Sequence, residues 1–195
     1  MTSRDGLAAQ AGHDLTIEIN DWSAELTMSE DLRPVALTVR VDLNSLSVLD
    51  GTGGVKPLTD RDRREIAANA RKSLKSTQFP AATFSAAGFE SAGDGGDDGG
   101  GVVPGTLALA GAERQVRLDV ASTGPDRYLV TGSVRQTDFG IKPYSAFLGA
   151  LRVSDIVGVR AEIDLSGAEA GAGGDAPGAG GGAPGTGVGA PGTGG

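Results

Sequence analysis

The sequence predicts an all-β domain whose antiparallel strands close into a barrel, and two observations carry this prediction. Several segments alternate apolar and polar residues, and turn-forming residues separate most of those segments. In a β-strand this alternation places every apolar side chain on one face of the sheet, which a helix cannot do at this spacing. About eight antiparallel strands are expected, and such a sheet removes its exposed edges by closing on itself.

The strands are expected to follow one another from residue 15 to residue 165. The clearest alternation occupies residues 15–19, 22–28, 35–43 and 157–165. Weaker strands are expected at residues 81–90, 103–109, 116–120 and 128–134. Gly111-Ala112-Glu113 is predicted to turn one hairpin and Gly124-Pro125-Asp126 the next, because Gly, Pro and Asp favour the backbone angles of tight turns.

One short α-helix is predicted between the strands. Thr59 is the expected N-cap, and Asp62 three residues later makes an Asp variant of the capping box. Apolar residues then recur at a spacing of four, at Ile66, Ala70 and Leu74. The helix should end before Phe79-Pro80, because the residue that precedes a proline is driven out of the helical region.

The predicted helix also carries a cluster of basic residues. They are Arg63, Arg64, Arg71, Lys72 and Lys75. A solvated face paired with nearby carboxylates is the preferred interpretation. A contact with lipid headgroups or a phosphate is the alternative.

Composition divides the chain into a folded part and a tail. Residues 1–165 are expected to form the barrel domain, and residues 166–195 a disordered C-terminal tail of Gly, Ala, Pro and Thr. Such a tail cannot bury enough apolar surface to offset its loss of conformational entropy. The segment 91–100, rich in Gly and Asp, is expected to be a flexible acidic loop.

Several classes of function are disfavoured by composition. The net charge of −8 argues against nucleic acid as a partner, since phosphate binding needs a basic surface. The chain has no Cys and a single His, His13, so no metal site and no cofactor are expected. No apolar run is long enough for stable membrane insertion, and the first residues do not resemble a signal peptide. The expected location is therefore the cytoplasm.

The interior of the predicted barrel could be either packed or hollow. An eight-stranded barrel is just wide enough to be filled by side chains or to hold one small ligand. Small residues occupy several expected inward positions, namely Ala24, Ala82, Ala86 and Ala161, and aromatic residues make up only 4% of the chain. Composition leaves both alternatives open.

Five short motifs add a family resemblance. They are Val41-Asp42-Leu43-Asn44-Ser45-Leu46, Phe79-Pro80-Ala81-Ala82-Thr83-Phe84, the hairpin from Gly105 to Val116, Thr137-Asp138-Phe139-Gly140-Ile141 and Val153-Ser154-Asp155-Ile156-Val157. In order and spacing, residues 15–165 resemble the YceI-like family, whose members fold as lipocalin-like antiparallel barrels and bind polyisoprenoid lipids. The resemblance implies an eight-stranded lipocalin-like barrel and an apolar, polyisoprenoid-like ligand.

The leading hypothesis is a non-catalytic binding or carrier protein for an apolar, chain-like lipid in the barrel interior. Its candidate lining residues are Leu37, Val39, Phe84, Leu107, Leu118, Tyr128 and Ile163, with Trp22, Phe139 and Phe147 near a rim. A dry, packed module that acts through its surface or tail is the second hypothesis. An enzyme that uses His13 and Asp138 is the third and is disfavoured, because no nucleophile with its base can be identified. The sequence does not decide between a monomer and a homodimer.

Overall fold

The computed structural model describes residues 1–5, 12–30, 34–91, 100–146, 148 and 151–166, and it confirms the predicted fold class. The strands are β1 (Arg4–Asp5), β2 (His13–Ile19), β3 (Trp22–Met28), β4 (Pro34–Asp42), β5 (Leu46–Gly53), β6 (Ala81–Ala86), β7 (Glu90–Ser91), β8 (Gly101–Leu109), β9 (Ala112–Gly124), β10 (Arg127–Arg135), β11 (Ser145–Ala146), β12 (Leu151–Val153) and β13 (Ile156–Asp164). Helix α1 spans Asp60–Ser73. Two 3₁₀ turns lie at Leu43–Ser45 and Gln136–Phe139. The acidic loop at 92–99 and the tail from 167 onward lie outside the described residues.

The main sheet is curled and antiparallel and forms a half-barrel. Its strands lie in the order β13-β10-β9-β8-β6-β4-β3, and β7 adds to β8. Within the described ranges, β3 pairs only with β4, so β3 is one edge of the sheet and β13 is the other.

The first four strands after β1 form one long bent hairpin. β2 pairs with β5, and β3 pairs with β4. At the bend, the hydroxyl of Ser45 accepts the backbone N–H groups of Asn20 at 3.1 Å and Asp21 at 3.0 Å. The Asn20 side-chain amide donates to the Ser45 carbonyl at 2.6 Å. These bonds hold both strands of the hairpin at the same corner.

Residues 1–3 link β2 of the bent hairpin to β13 at one edge of the main sheet. The backbone of Thr2 exchanges two hydrogen bonds with Leu15 of β2, at 2.9 and 3.0 Å. On its other side, the Gly158 N–H of β13 donates to the Met1 carbonyl at 2.9 Å. The Ser154 N–H donates to the Ser3 carbonyl at 2.7 Å. Among the described residues, these bonds close the barrel near β2, and no strand pairs with the outer edge of β3.

Helix α1 begins and ends as predicted. The Thr59 hydroxyl accepts the Asp62 N–H at 3.2 Å, and the Asp62 carboxylate accepts the Thr59 N–H at 2.9 Å, which completes the capping box. The apolar side of α1 packs on the β2–β5 hairpin around a buried core of Leu46, Val48 and Ala67. No helix in the described part of the chain is long and apolar enough to cross a bilayer.

The β8–β9 hairpin turns slightly earlier than predicted. Its turn lies at Ala110 and Gly111, which have φ angles of +51° and +84°, and β9 already begins at Ala112. The next hairpin turns where expected, with Asp126 at a φ of +56°.

Candidate functional site

One face of the curled sheet, called the concave face here, collects apolar side chains from seven strands. Residues that are directly paired across neighbouring strands point to the same side of a sheet. The pairs Val39↔Phe84 and Phe84↔Leu107 place three strands on this face. The same rule extends it through Trp22↔Val41, Val103↔Leu118, Val120↔Val130, Val130↔Ala161 and Tyr128↔Ile163.

The concave face has a buried floor and exposed margins. Phe84, Ala86 and Val103 form the floor, and each is less than one-tenth exposed. Half-buried residues surround them, namely Leu37, Val39, Phe89, Leu107, Val116, Leu118 and Val120. Near the open seam, Leu26 on β3 is 46% exposed and Val159 on β13 is 43% exposed. Apolar surface therefore continues from the floor to the solvent.

Glycines on the concave face allow large side chains of the same face to lie close against the sheet. Gly105 lies beneath the Phe84 ring, where an added Cβ would overlap it. A Cβ on Gly101 would lie 2.5 Å from Phe89 Cζ, and one on Gly132 would lie 2.6 Å from Leu118 Cδ2. These side chains therefore lie close against the glycine backbone of the neighbouring strands.

The end of the barrel near α1 is closed by a second cluster. Phe139 and Ile141 are 2% and 1% exposed and pack with Ala110, Val134 and Leu74, the C-cap residue of α1. The 3₁₀ turn that carries Phe139 ends at Gly140, whose φ of +64° turns the chain inward. Phe139, which the sequence places near a rim, is buried in this cluster at one end of the interior, and its contact with a ligand stays a prediction.

The start of β13 is tied to that 3₁₀ turn by Asp155. Its carboxylate accepts the Thr137 N–H at 2.9 Å and the Thr137 hydroxyl at 2.7 Å. These hydrogen bonds, led by the hydroxyl, hold the pKa of Asp155 below its ordinary value. Asp155 thus has a structural role in holding the closed end together.

Eight of the ten candidate lining residues lie on the concave face. They are Trp22, Leu37, Val39, Phe84, Leu107, Leu118, Tyr128 and Ile163. Phe139 lies in the end cluster, and Phe147 lies outside the described residues. That these residues bind a ligand stays a prediction. Val103 also lies on the floor, but the sequence does not point to it as a lining residue. Its neighbours on that face of β8 are Gly101 and Gly105, so the strand shows no alternation of apolar and polar side chains there.

The residues of the enzyme hypothesis do not share a cleft. The Nε2 atom of His13 lies 2.8 Å from the Lys56 carbonyl oxygen, so the ring holds a local loop. Asp138 lies in a polar cleft of about 210 Å³ with Arg114, Gln115 and Arg135, among other residues but without His13. A second polar cleft, of about 340 Å³, is lined by Asp21, Trp22, Ser23, Arg40, Asp42, Asn44, Pro80 and Ala81. Across the described ranges, no three His, Asp or Glu side chains are grouped as metal ligands.

These features define a class: a curled antiparallel barrel with an apolar concave face and one end covered by a helix. Residues 5–165 match the YceI-like domain, which covers most of the chain. The chain therefore belongs to the YceI-like family, and the resemblance drawn from the five motifs is confirmed.

Solved structures support the same fold. The YceI protein of Campylobacter jejuni is similar with a TM-score of 0.56 and 16% identity, over 77% of this chain and 83% of that chain. BcnA of Burkholderia cenocepacia has a TM-score of 0.54 and 13% identity, over 75% of this chain and 85% of that chain. A polyisoprenoid binding domain from Saccharophagus degradans has a TM-score of 0.38 and 14% sequence identity. The match covers 83% of this chain and 95% of that chain. No curated protein matches the sequence significantly. At these identities the first two similarities show the fold alone.

Proposed function

We propose that this protein is a non-catalytic carrier or binding protein for an apolar, chain-like lipid held against the concave face. The observation that carries the proposal is the continuity of that face, from the buried Phe84 to the half-exposed Leu26 and Val159. A typical soluble domain does not leave such a surface open unless something covers it.

The chemistry of the face favours an aliphatic chain over a polar ligand. Its lining consists mainly of Val, Leu and Phe side chains, which offer no directional hydrogen bonds. Burial of a methylene group contributes about 0.8 kcal/mol, so an extended chain gains affinity with each unit that the face covers. A polyisoprenoid fits this description, and it is also the ligand that the family resemblance implies.

The test measures binding of isoprenoid alcohols of increasing length to the full chain. Farnesol, geranylgeraniol and undecaprenol are added in turn, and complexes are counted by native mass spectrometry. Affinity is expected to rise from farnesol to the longer alcohols, because each added unit buries more apolar surface. Organic extraction of the purified protein supplies the second readout.

Two outcomes would contradict the proposal. One is a clean apoprotein that ignores all three alcohols, which would favour a packed module acting through its surface. The other is an affinity independent of chain length, which would mean that only the headgroup is recognised.

A further inference from the structure

The basic residues of α1 divide into two sets with different surroundings. Arg63 donates to the Leu49 carbonyl at 2.7 Å and, less closely, to the Val48 carbonyl at 3.3 Å. Arg71 donates to the Leu46 carbonyl at 3.0 Å. These two arginines bind the outer carbonyls of β5 and have a structural role. The other set is the basic stripe, defined here as Arg61, Arg64, Lys72 and Lys75.

The basic stripe lies on the side of α1 opposite its packed side. At 100° per residue, Arg61, Arg64 and Lys72 fall within a sector of about 80°, and Lys75 follows just beyond the helix. All four residues are exposed. Ile66, Ala67 and Ala70 occupy the opposite side and face the β2–β5 core. The stripe therefore points outward as a unit.

No ion pair of the stripe is found among the residues that the structure describes. The ion pairs found within the described residues join Arg117 to Glu90, Arg127 to Asp164, Arg135 to Asp155 and Arg160 to Glu162, all outside α1. The carboxylate of Asp62 at the helix start is bound by Thr59, and Arg61 acts on it only through a smaller electrostatic effect. The positive charge of the stripe is thus available to an external partner.

Charge is distributed unevenly along the molecule. Residues 55–75 contain seven basic and three acidic residues, a net charge of +4, whereas the rest of the chain carries −12. A molecule with this asymmetry is oriented by an anionic surface, with α1 toward the surface and the acidic remainder away from it.

An exposed apolar side chain lies beside the stripe. Val55, at the tip of the loop that precedes α1, is 79% exposed and is followed by the exposed Lys56. His13 contacts the Lys56 carbonyl, and the N-cap Thr59 follows three residues later, so this loop lies at the start of the helix. An apolar tip next to cations suits the boundary between lipid headgroups and acyl chains.

We propose that the basic stripe, with Val55 and Lys56, is a docking surface for an anionic lipid bilayer. Cations attract anionic headgroups by about 1 kcal/mol each near such a surface, or about fivefold in binding. The attraction falls within one Debye length and weakens as salt is added. The surface is separate from the concave face, so either proposal can fail alone.

The test is flotation of the full chain with vesicles of phosphatidylcholine, with or without phosphatidylglycerol. We expect binding only to the anionic vesicles, and its loss at high salt. The variant Arg61→Gln/Arg64→Gln/Lys72→Gln/Lys75→Gln should bind about 600-fold more weakly, at about fivefold for each cation removed. Val55→Asn should bind more weakly than the unmodified chain at low salt, because it loses the apolar contact with the bilayer.

A matched control removes the same charge elsewhere. The variant Arg117→Gln/Arg127→Gln/Arg135→Gln/Arg160→Gln changes the net charge equally but leaves the stripe intact. It should float like the unmodified chain. Equal losses in both quadruple variants, equal binding to neutral vesicles, no binding to anionic vesicles, or tighter binding to duplex DNA at the same phosphate concentration would each overturn the proposal. Circular dichroism checks that each variant keeps its fold.

Discussion

At the residue scale, three phenylalanine rings lie directly over glycines. Phe84 covers Gly105 and Phe89 covers Gly101 on the concave face, and Phe79 covers Gly111 at the β8–β9 turn. A side chain on any of these glycines would have to displace a ring that belongs to a packed region. The glycines thus set how closely the aromatic rings approach the sheet.

Both the backbone conformation and the surroundings of position 111 require glycine, so a substitution there should destabilise the fold. Its φ of +84° strains any side chain with a Cβ, and that Cβ would lie 2.5 Å from Phe79 Cζ. Gly111→Ala should lower the free energy of unfolding by about 2–4 kcal/mol, measured by urea denaturation. Gly124→Ala is the control, because Gly124 has open space around its Cα and no left-handed φ. Similar losses in both variants would argue against this explanation.

At the element scale, the sequence predicted the strands that keep their alternation and missed β5. Gly51 and Gly53 remove two side chains from β5, so its end resembles a loop in the sequence. It is a strand because it pairs with β2, for example at His13↔Gly53. These partners lie far apart in the sequence, so a local sequence pattern cannot predict their pairing. The capping box of α1 could be predicted because it depends on residues only three positions apart.

The same reasoning explains which parts of the candidate site were predictable. A period of two assigns residues such as Val39 and Phe84 to one face without knowledge of their partners. Phe139 lies in a 3₁₀ turn that ends in a left-handed Gly140, where no period applies. Its burial against Leu74 depends on how α1 packs, which is a property of the tertiary structure.

The strap formed by residues 1–5 is the element that joins β2 to β13. Removal of residues 2–5 deletes the two bonds between Thr2 and Leu15, the Ser3–Ser154 bond and the β1–β12 pairing. At about 1 kcal/mol per net hydrogen bond, the deletion should cost about 2–5 kcal/mol of stability. It should also accelerate hydrogen exchange at the amides of Leu15 and Gly158.

The control for the strap removes a longer stretch from the other end of the chain. Deletion of residues 171–195, which are expected to be disordered, should leave both the stability and the exchange rates unchanged. If Leu15 and Gly158 keep their exchange rates when the strap is absent, the strap does not close the barrel.

At the scale of the whole molecule, the two proposed surfaces lie on different parts of the fold. The concave face is formed by the curled sheet, and the basic stripe lies on the outer side of the helix that covers one end. A carrier for an apolar lipid exchanges its cargo with membranes, and a separate docking surface allows contact with the bilayer to be tuned by charge without a change in the cargo site.

A single substitution can test whether the cargo occupies the concave face. Ala161 on β13 is half-buried and pairs with Val130 there, and Ala121 on β9 is exposed on the opposite face, where it pairs with Leu129. Ala161→Phe should place a ring on the concave face and weaken binding of undecaprenol at least about tenfold, with little change in stability at this half-exposed position. Ala121→Phe adds the same ring on the opposite face and should bind undecaprenol normally.

Thermal unfolding gives a second measurement of the same prediction. Since ligand binding stabilises the folded state, undecaprenol should raise the Tm of Ala121→Phe and of the unmodified chain, and should raise that of Ala161→Phe much less. Equal shifts in both variants would place the lipid somewhere other than the concave face.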